Sequence, residues 1–206
     1  MATGNLADSL SQMREIQGDQ RGQISSLSGH ERNPFFYNRE GRRFDDLSLI
    51  SGADSDRDGR AVALWDYDRD GFLDLAVVNA NAPKLALYHN QLAGQPADRH
   101  CLFLRFQGAN TAGVGDATKS NRDGYGCVVF AMVGGKTLRS EHHCGAGFAA
   151  QNSALMHLGI GSSDQVDSLT VRWPAGTIQS LENIPAGSLV TLPEQAAPTI
   201  APYATP

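Results

Sequence analysis

The length of the apolar runs limits the fold most. From Phe35 onward the chain reads "FFYN", "FDDLSLI", "RAVALW", "FLDLAVV" and "KLALYHN", separated by Gly, Asp, Asn and Pro. A polar connector at about residues 91–99 follows, and then a second series, "CLFLRF", "GCVVFAMV", "KTLRSEHH", "ALMHLGI", "SLTVRW" and "SLVTL". Runs of this length between turn-forming residues predict strands. The expected fold class is therefore all-β. The two ends differ from the middle. Leu6, Leu10, Met13 and Ile16 recur at helical spacing and predict one short amphipathic helix, soon interrupted by Gly18 and Gly22. The tail "PEQAAPTIAPYATP" carries a proline every few residues and is expected to be extended or disordered.

With 206 residues the chain has room for one or two domains with real cores, and a hydrophobic content of 41% is ordinary for a water-soluble fold. A formal net charge of −5, with no long basic run, argues against a nucleic-acid partner. No stretch approaches the roughly 18 apolar residues of a membrane span. The first thirty residues lack the apolar centre of a secretion signal, which favours the cytoplasm, with a mature secreted form as the other reading. Cys101, Cys127 and Cys144 allow one disulfide at most.

The candidate site is "DYDRDGFLDL". Asp66, Asp68 and Asp70 occupy loop positions one, three and five, Gly71 the sharp turn at six, and Asp74 position nine. Phe72, at seven, would lend a backbone carbonyl. Position twelve is Val77, not the glutamate of an EF-hand, and the flanks "AVALW" and "LAVV" read as strands. A strand-flanked calcium loop is expected. All-oxygen donors on short side chains suit hard Ca²⁺, whereas zinc or copper would want His or Cys. The competing reading is a solvated acidic turn, its repulsion screened by salt. The earlier "DSDRDGR" places Asp54, Asp56 and Asp58 at the first three positions, but the ninth is Val62. Asp58, Gly59 and Arg60 are read there as a turn, with a weaker second ion as the alternative.

The stretches "SGHERNPFFYNREGRRFDDLS" and "SGADSDRDGRAVALWDYDRDGFLDLAVVNANAPKLALYHN" resemble the FG-GAP or VCBS repeats of the cartilage acidic protein family. "SNRDGYGCVVFAMVGGKTLRSEHHCGAGFAAQNSALMHLGIGSSDQVDSLTVRWPAGTIQSLENI" is similar to the domain called ASPIC and UnbV, with its "GxG", "HxGIG" and "VRWPAG" stretches in that order. The resemblance implies an N-terminal segment over 1–28, a calcium-binding repeat over 29–92, a small β-sandwich or barrel-like domain over 100–192, and a flexible tail over 193–206. It implies Asp66, Asp68, Asp70 and Asp74 as side-chain ligands, Phe72 as a carbonyl ligand, and no particular chemistry. FG-GAP repeats build propeller blades of four strands, about 40–60 residues each, so the chain holds one blade and cannot close a propeller. A lone blade leaves edges and an apolar face uncovered. Self-association as a homodimer, or pairing with another β protein, is expected to cover them. The runs "AVALW" and "LAVV", apolar at successive positions, read as strands covered on both faces.

A second cluster follows from hairpin arithmetic. If Gly134–Gly135 is a two-residue turn, Cys127 faces His142 and Cys144 pairs with Tyr125, which places Cys127, His142 and Cys144 on one face. That set could hold a soft metal. Buried, reduced thiols without metal are the expectation, because Cys is commonly a small core residue. A Cys127–Cys144 disulfide would span a diagonal of roughly 7–8 Å in this register. "GHERN", His30 to Asn33 within it, reads as an exposed charged turn. Asn79, Asn81 and Asn90 read as turn formers, and Trp173 as a core indole at a strand end. No serine sits in a nucleophile elbow, and no glycine-rich loop precedes a helix. The function expected is a calcium-binding β protein of recognition or scaffolding. The alternative is a small enzyme of a specialised biosynthetic pathway, with its site in a cleft between the repeat and the second domain; no small-molecule ligand is legible.

Overall fold

Short β-rich runs bounded by turn residues do become strands. A computed structural model describes residues 31–91, 100–111, 113 and 115–203, and the elements below are those of the described residues. The expected helix at Leu6–Ile16 lies outside them, as do His30 and residues 92–99 of the connector. The protein is all-β. In chain order the elements are β1 (Phe36–Arg39), β2 (Arg43–Asp46), a one-turn helix α1 (Ser48–Ser51), β3 (Gly59–Trp65), β4 (Asp74–Asn79) and β5 (Leu85–Tyr88). Then come β6 (His100–Gln107), β7 (Val128–Val133), β8 (Lys136–Glu141), β9 (Leu155–Gly161), β10 (Gln165–Arg172), β11 (Ile178–Pro185), β12 (Ser188–Pro193) and β13 (Thr199–Pro202). No helix among the described residues is long and apolar enough to cross a membrane.

The chain divides into two compact units, one of residues up to Ala61 with Val77–Tyr88, the other of Val62–Ala76 with His89 onward. In the first unit β1 and β2 pair antiparallel, Phe36 opposite Asp46. The strand expected over "FDDLSLI" stops at Asp46, whose Oδ1 accepts the Ser48 N–H at 2.9 Å and so turns the chain into α1. Gly52, left-handed at φ 74°, ends that turn. Asp58 is buried and bonded to Arg60 Nη2 at 2.9 Å, and its N–H donates to Asn81 Oδ1 at 3.3 Å. The Asn79 amide donates to the Pro83 carbonyl, so Asn79 and Asn81 hold turns as their type predicts.

The four-stranded blade that the resemblance implies is not built by the described residues of 29–92. They form the β1–β2 hairpin and a three-stranded sheet of order β3-β4-β5. Nor are its strands covered on both faces. Val77 and Asn79 are buried, but Val62, Val78, Leu85 and Leu87 are exposed. Alternation, not the unbroken apolar run, decided which side chains were covered.

In the second unit two four-stranded sheets, of order β11-β10-β7-β8 and β13-β12-β6-β9, enclose one core. Leu102, Leu104 and Phe106 of β6 meet Val129 and Ala131 of β7 and Val166, Leu169 and Val171 of β10 in it. Burying a side chain of that size stabilises by about 1.5–3 kcal/mol over leaving it in water. Trp173 is 1% exposed, and its Nε1–H donates to Gln179 Oε1 at 2.9 Å, which satisfies the one polar atom of the ring. Val133 pairs with Lys136 across Gly134–Gly135, both at positive φ (53° and 77°), the conformation a two-residue hairpin turn needs.

Two strands escaped the sequence reading. β11 reads "IQSLENIP", mostly polar on its outer face, and β13 falls in the tail expected to be flexible. β13 pairs with β12 from Ser188↔Pro202 to Thr191↔Thr199. As an edge strand it can carry proline without breaking a ladder. Glu194, also in that tail, is 4% exposed. Its carboxylate accepts the N–H groups of Ala109 (2.9 Å) and Ser120 (2.9 and 3.1 Å) and the Ser120 hydroxyl (2.6 Å). The Ser120 oxygen in turn accepts the Ala175 N–H.

Candidate metal centre

The acidic loop joins β3 to β4, and its aspartates fold it. Asp66, directly after β3, accepts the N–H of Asp70 (3.1 Å) and of Gly71 (2.9 Å). Asp68 Oδ1 also receives the Asp70 N–H, at 3.3 Å, and Asp70 Oδ1 the Phe72 N–H, at 2.8 Å. Asp74, the first residue of β4, takes the Tyr67 N–H on Oδ2 (3.1 Å) and the Asn90 N–H on Oδ1 (2.7 Å). The Asn90 amide returns a bond to the Leu73 carbonyl at 3.2 Å, again a turn-holding role. Gly71 lies at φ 94°, so position six needs glycine for its backbone.

These bonds bring the carboxylates together. One oxygen each of Asp66, Asp68 and Asp74 lies within 4.8 Å of the others, and the same holds for Asp68, Asp70 and the imidazole of His89. All four expected aspartates therefore belong to one of two groups that share Asp68. Phe72, expected to lend its carbonyl, is half-buried in the loop. His89 was not singled out by sequence; its only signal was its place beside Asn90, where "KLALYHN" returns towards the loop. Its Nε2 is 2.9 Å from Asp68 Oδ2 and 3.9 Å from Asp70 Oδ2, and its ring makes an edge contact with that of Tyr67 at 5.5 Å between centroids.

The electrostatics favour a cation. Asp70 Oδ2 is buried and has no hydrogen-bond partner, in a loop that gathers three further carboxylates and a histidine. Burial pushes the Asp66 carboxyl above its ordinary value, with the Asp70 charge adding to the shift against bonds from Gly71, Tyr203 and Arg69. Under the loop, burial and then the charges of Asp66 and Asp70 push the Cys101 thiol up to about 11. His157, on β9, has its Nε2 3.0 Å from the Gly71 carbonyl, and burial lowers its pKa. It is thus a neutral ring whose Nε2–H donates to that carbonyl. Phe103, buried on the face of β6 opposite the core, packs against His157 (5.1 Å) and stacks on Tyr203 (3.7 Å). The Tyr203 hydroxyl bonds to Asp66, and burial, then that carboxylate, pushes its pKa up to about 12.

The other candidates are placed differently. Asp54 is bound by Arg32, whose Nε lies 2.9 Å from both oxygens, and Asp54, Asp56 and Asp58 form no converging group among the described residues. The His142 N–H bonds the Cys127 carbonyl at 2.9 Å, in the register that the Gly134–Gly135 turn sets. Cys127 is fully buried while Cys144 is exposed, and all three cysteines are free thiols. The His142 ring is stacked between Phe106 and Tyr125, each 4.8 Å away, and burial lowers its pKa. It packs as a core ring.

Comparison with known proteins bears on the second unit. Residues 117–199 match the family model described as ASPIC and UnbV. The match begins before β7 and ends at the start of β13, so most of the two-sheet sandwich carries that domain. No curated protein matches the chain.

Proposed function

We propose that the loop from Asp66 to Asp74 binds Ca²⁺, and that the protein is a recognition or scaffolding module built on an ASPIC and UnbV domain. The observation that carries this reading is the convergence of Asp66, Asp68 and Asp74 within 4.8 Å beside a buried, unpartnered oxygen of Asp70. Leaving buried carboxylate oxygens without a partner costs free energy that a hard cation offsets. Asp66, Asp68, Asp70 and Asp74 would hold the ion by side chain and Phe72 by its carbonyl, as in a loop of the FG-GAP or VCBS kind. Bound there, Ca²⁺ would supply positive charge that cross-links the loop. The loop lies between the end of β3 and the start of β4, so the binding free energy adds to folding.

Self-association belongs to the same reading. Phe36, Phe44, Leu49 and Ile50 are 56%, 66%, 90% and 79% exposed, an apolar set of the kind that marks an interaction surface. The test of the calcium reading is a melting curve in millimolar Ca²⁺ against one in chelator. Stabilisation follows RT ln(1 + [L]/Kd), about 2.7 kcal/mol at 100 times Kd. Asp68→Ala is expected to remove most of it. Superimposable curves for the wild-type chain would end the calcium reading.

A further inference from the structure

We propose that His89 is a fifth side-chain donor to the acidic loop, and that it gives the site affinity for a borderline divalent ion such as Mn²⁺ beside Ca²⁺. This rests on the reading of the loop as a cation site and adds a ligand that the loop's own spacing does not contain.

Three observations carry it. The first is position: His89 lies outside the ten-residue loop, yet its Nε2 is 2.9 Å from Asp68 Oδ2 and 3.9 Å from Asp70 Oδ2. Separations of about 3–4 Å are those between neighbouring donors around one ion with bonds of roughly 2.1–2.4 Å. The second is the buried Asp70 Oδ2, which has no hydrogen-bond partner although the imidazole stands beside it. A proton on Nε2 satisfies Asp68 alone. An ion between the three groups would satisfy both carboxylates and the ring. The third is that His89 is held at the loop, by an edge contact with the Tyr67 ring and through its neighbour Asn90, whose N–H is held at 2.7 Å by Asp74. The residue preceding Asn90 is thus fixed at the loop by the same carboxylate that belongs to the other donor group.

The chemistry then separates the ions. Ca²⁺ takes oxygen donors and gains little from an imidazole, so Asp66, Asp68, Asp70 and Asp74 serve it without His89. Mn²⁺ accepts carboxylates and imidazole together, and Zn²⁺ favours imidazole more strongly. Asp68 and Asp70, which both ions use, make the two occupancies compete.

The experiment uses the full chain titrated calorimetrically with CaCl₂ and with MnCl₂, and pulsed electron paramagnetic resonance of the Mn²⁺-loaded protein to read nitrogen coupling. Wild type is expected to bind both ions, each displacing the other, with imidazole nitrogen modulation on Mn²⁺. His89→Gln is expected to lose that modulation and to bind Mn²⁺ about 10–100-fold more weakly, while Ca²⁺ affinity changes by less than about twofold. Mn²⁺ bound by wild type without nitrogen modulation would overturn the assignment of His89 and leave the calcium loop standing; that arm needs no variant to fold. Equal loss of both ions in His89→Gln would overturn it too, since His89 would then only brace the loop. Failure of wild type to bind either ion would overturn the loop reading itself, and the inference with it.

Discussion

Glu194 offers the sharpest energetic test of the sandwich, because one carboxylate holds together three stretches distant in sequence. It receives the Ala109 and Ser120 N–H groups and the Ser120 hydroxyl, and that hydroxyl oxygen holds Ala175. Truncation to alanine strands two backbone donors. Each buried donor left without an acceptor costs about 1–3 kcal/mol, so Glu194→Ala is expected to lose about 3–4 kcal/mol. At about 2–4 °C per kcal/mol for a chain of this size, the melting temperature should fall by roughly 6–16 °C. Glu194→Gln keeps one acceptor oxygen and should lose about half as much. Its pH dependence is the discriminating measurement. Burial alone would raise the Glu194 pKa, but the bonds from Ser120 and Ala109 outweigh it and hold the carboxyl below its ordinary value. A group depressed in the folded state stabilises fully above its unfolded pKa, about 4.3 for Glu, and loses that contribution as pH falls through the lower folded value. The gap in stability between wild type and Glu194→Gln should therefore be level from about pH 5 to 8 and shrink below about pH 4. Chemical denaturation across that range measures it. A Glu194→Ala chain within about 1 kcal/mol of wild type, or a gap that widens in acid, would refute the account of a bonded, ionised carboxylate.

Three further outcomes are expected. In the native protein an alkylating reagent should modify exposed Cys144 first and leave Cys127 intact, since burial pushes the Cys127 thiol up to about 12; all three should react once the chain is denatured. Gly71→Ala should cost about 1–2 kcal/mol through backbone strain at φ 94°, because a methyl there would stand 3.5 Å from Cys101 Sγ, an ordinary contact; calcium stabilisation should fall with it. Light scattering at micromolar concentration should find a dimer, and Phe44→Ser with Ile50→Ser should return it to monomer; a wild-type monomer at those concentrations would remove the exposed apolar set as an interface.

Much of this was open to inspection in the sequence. The strand runs were, because a buried face needs apolar residues at alternate positions and turns need Gly, Asn, Asp or Pro. The Asp66–Asp74 spacing marks an acidic turn between two strands, which is where the loop between β3 and β4 lies. Two strands were hidden for physical reasons. β11 buries Ile184 fully but few of its other side chains, so it carries no alternation to read. β13 lies at the sheet edge with all four residues exposed, and its bonds to β12 are backbone bonds, which composition does not record. The short helix at Ser48 arose from a single side chain, Asp46, that ended a strand the apolar pattern would have continued. His89 was missed because loop spacing describes ligands contiguous in sequence, whereas His89 reaches Asp68 only after β4 and β5 have turned back. Glu194 was missed for the opposite reason: a glutamate among prolines and alanines reads as solvent-facing, and only the converging N–H groups of Ala109 and Ser120, both from the connection between β6 and β7, make its burial tolerable.

The pairing of β12 with β6 has a consequence for how the chain is made. It is a parallel pairing, from Leu102↔Ser188 to Gln107↔Pro193, in an otherwise antiparallel sandwich. Parallel neighbours cannot be joined by a tight turn, and these two are about 85 residues apart, so the ordering entropy of that long loop precedes any reward from the contact. On a ribosome adding about 5–20 residues per second, β6 would wait roughly 4–17 seconds for its partner. During that interval Leu102, Leu104 and Phe106 form an apolar edge segment of a nascent chain. The hairpins β7–β8 and β10–β11 can form locally while it waits, but neither supplies the missing edge. The last-made part of the sandwich therefore closes its central strand, which marks the interval before β12 emerges as the time when this chain most needs a chaperone.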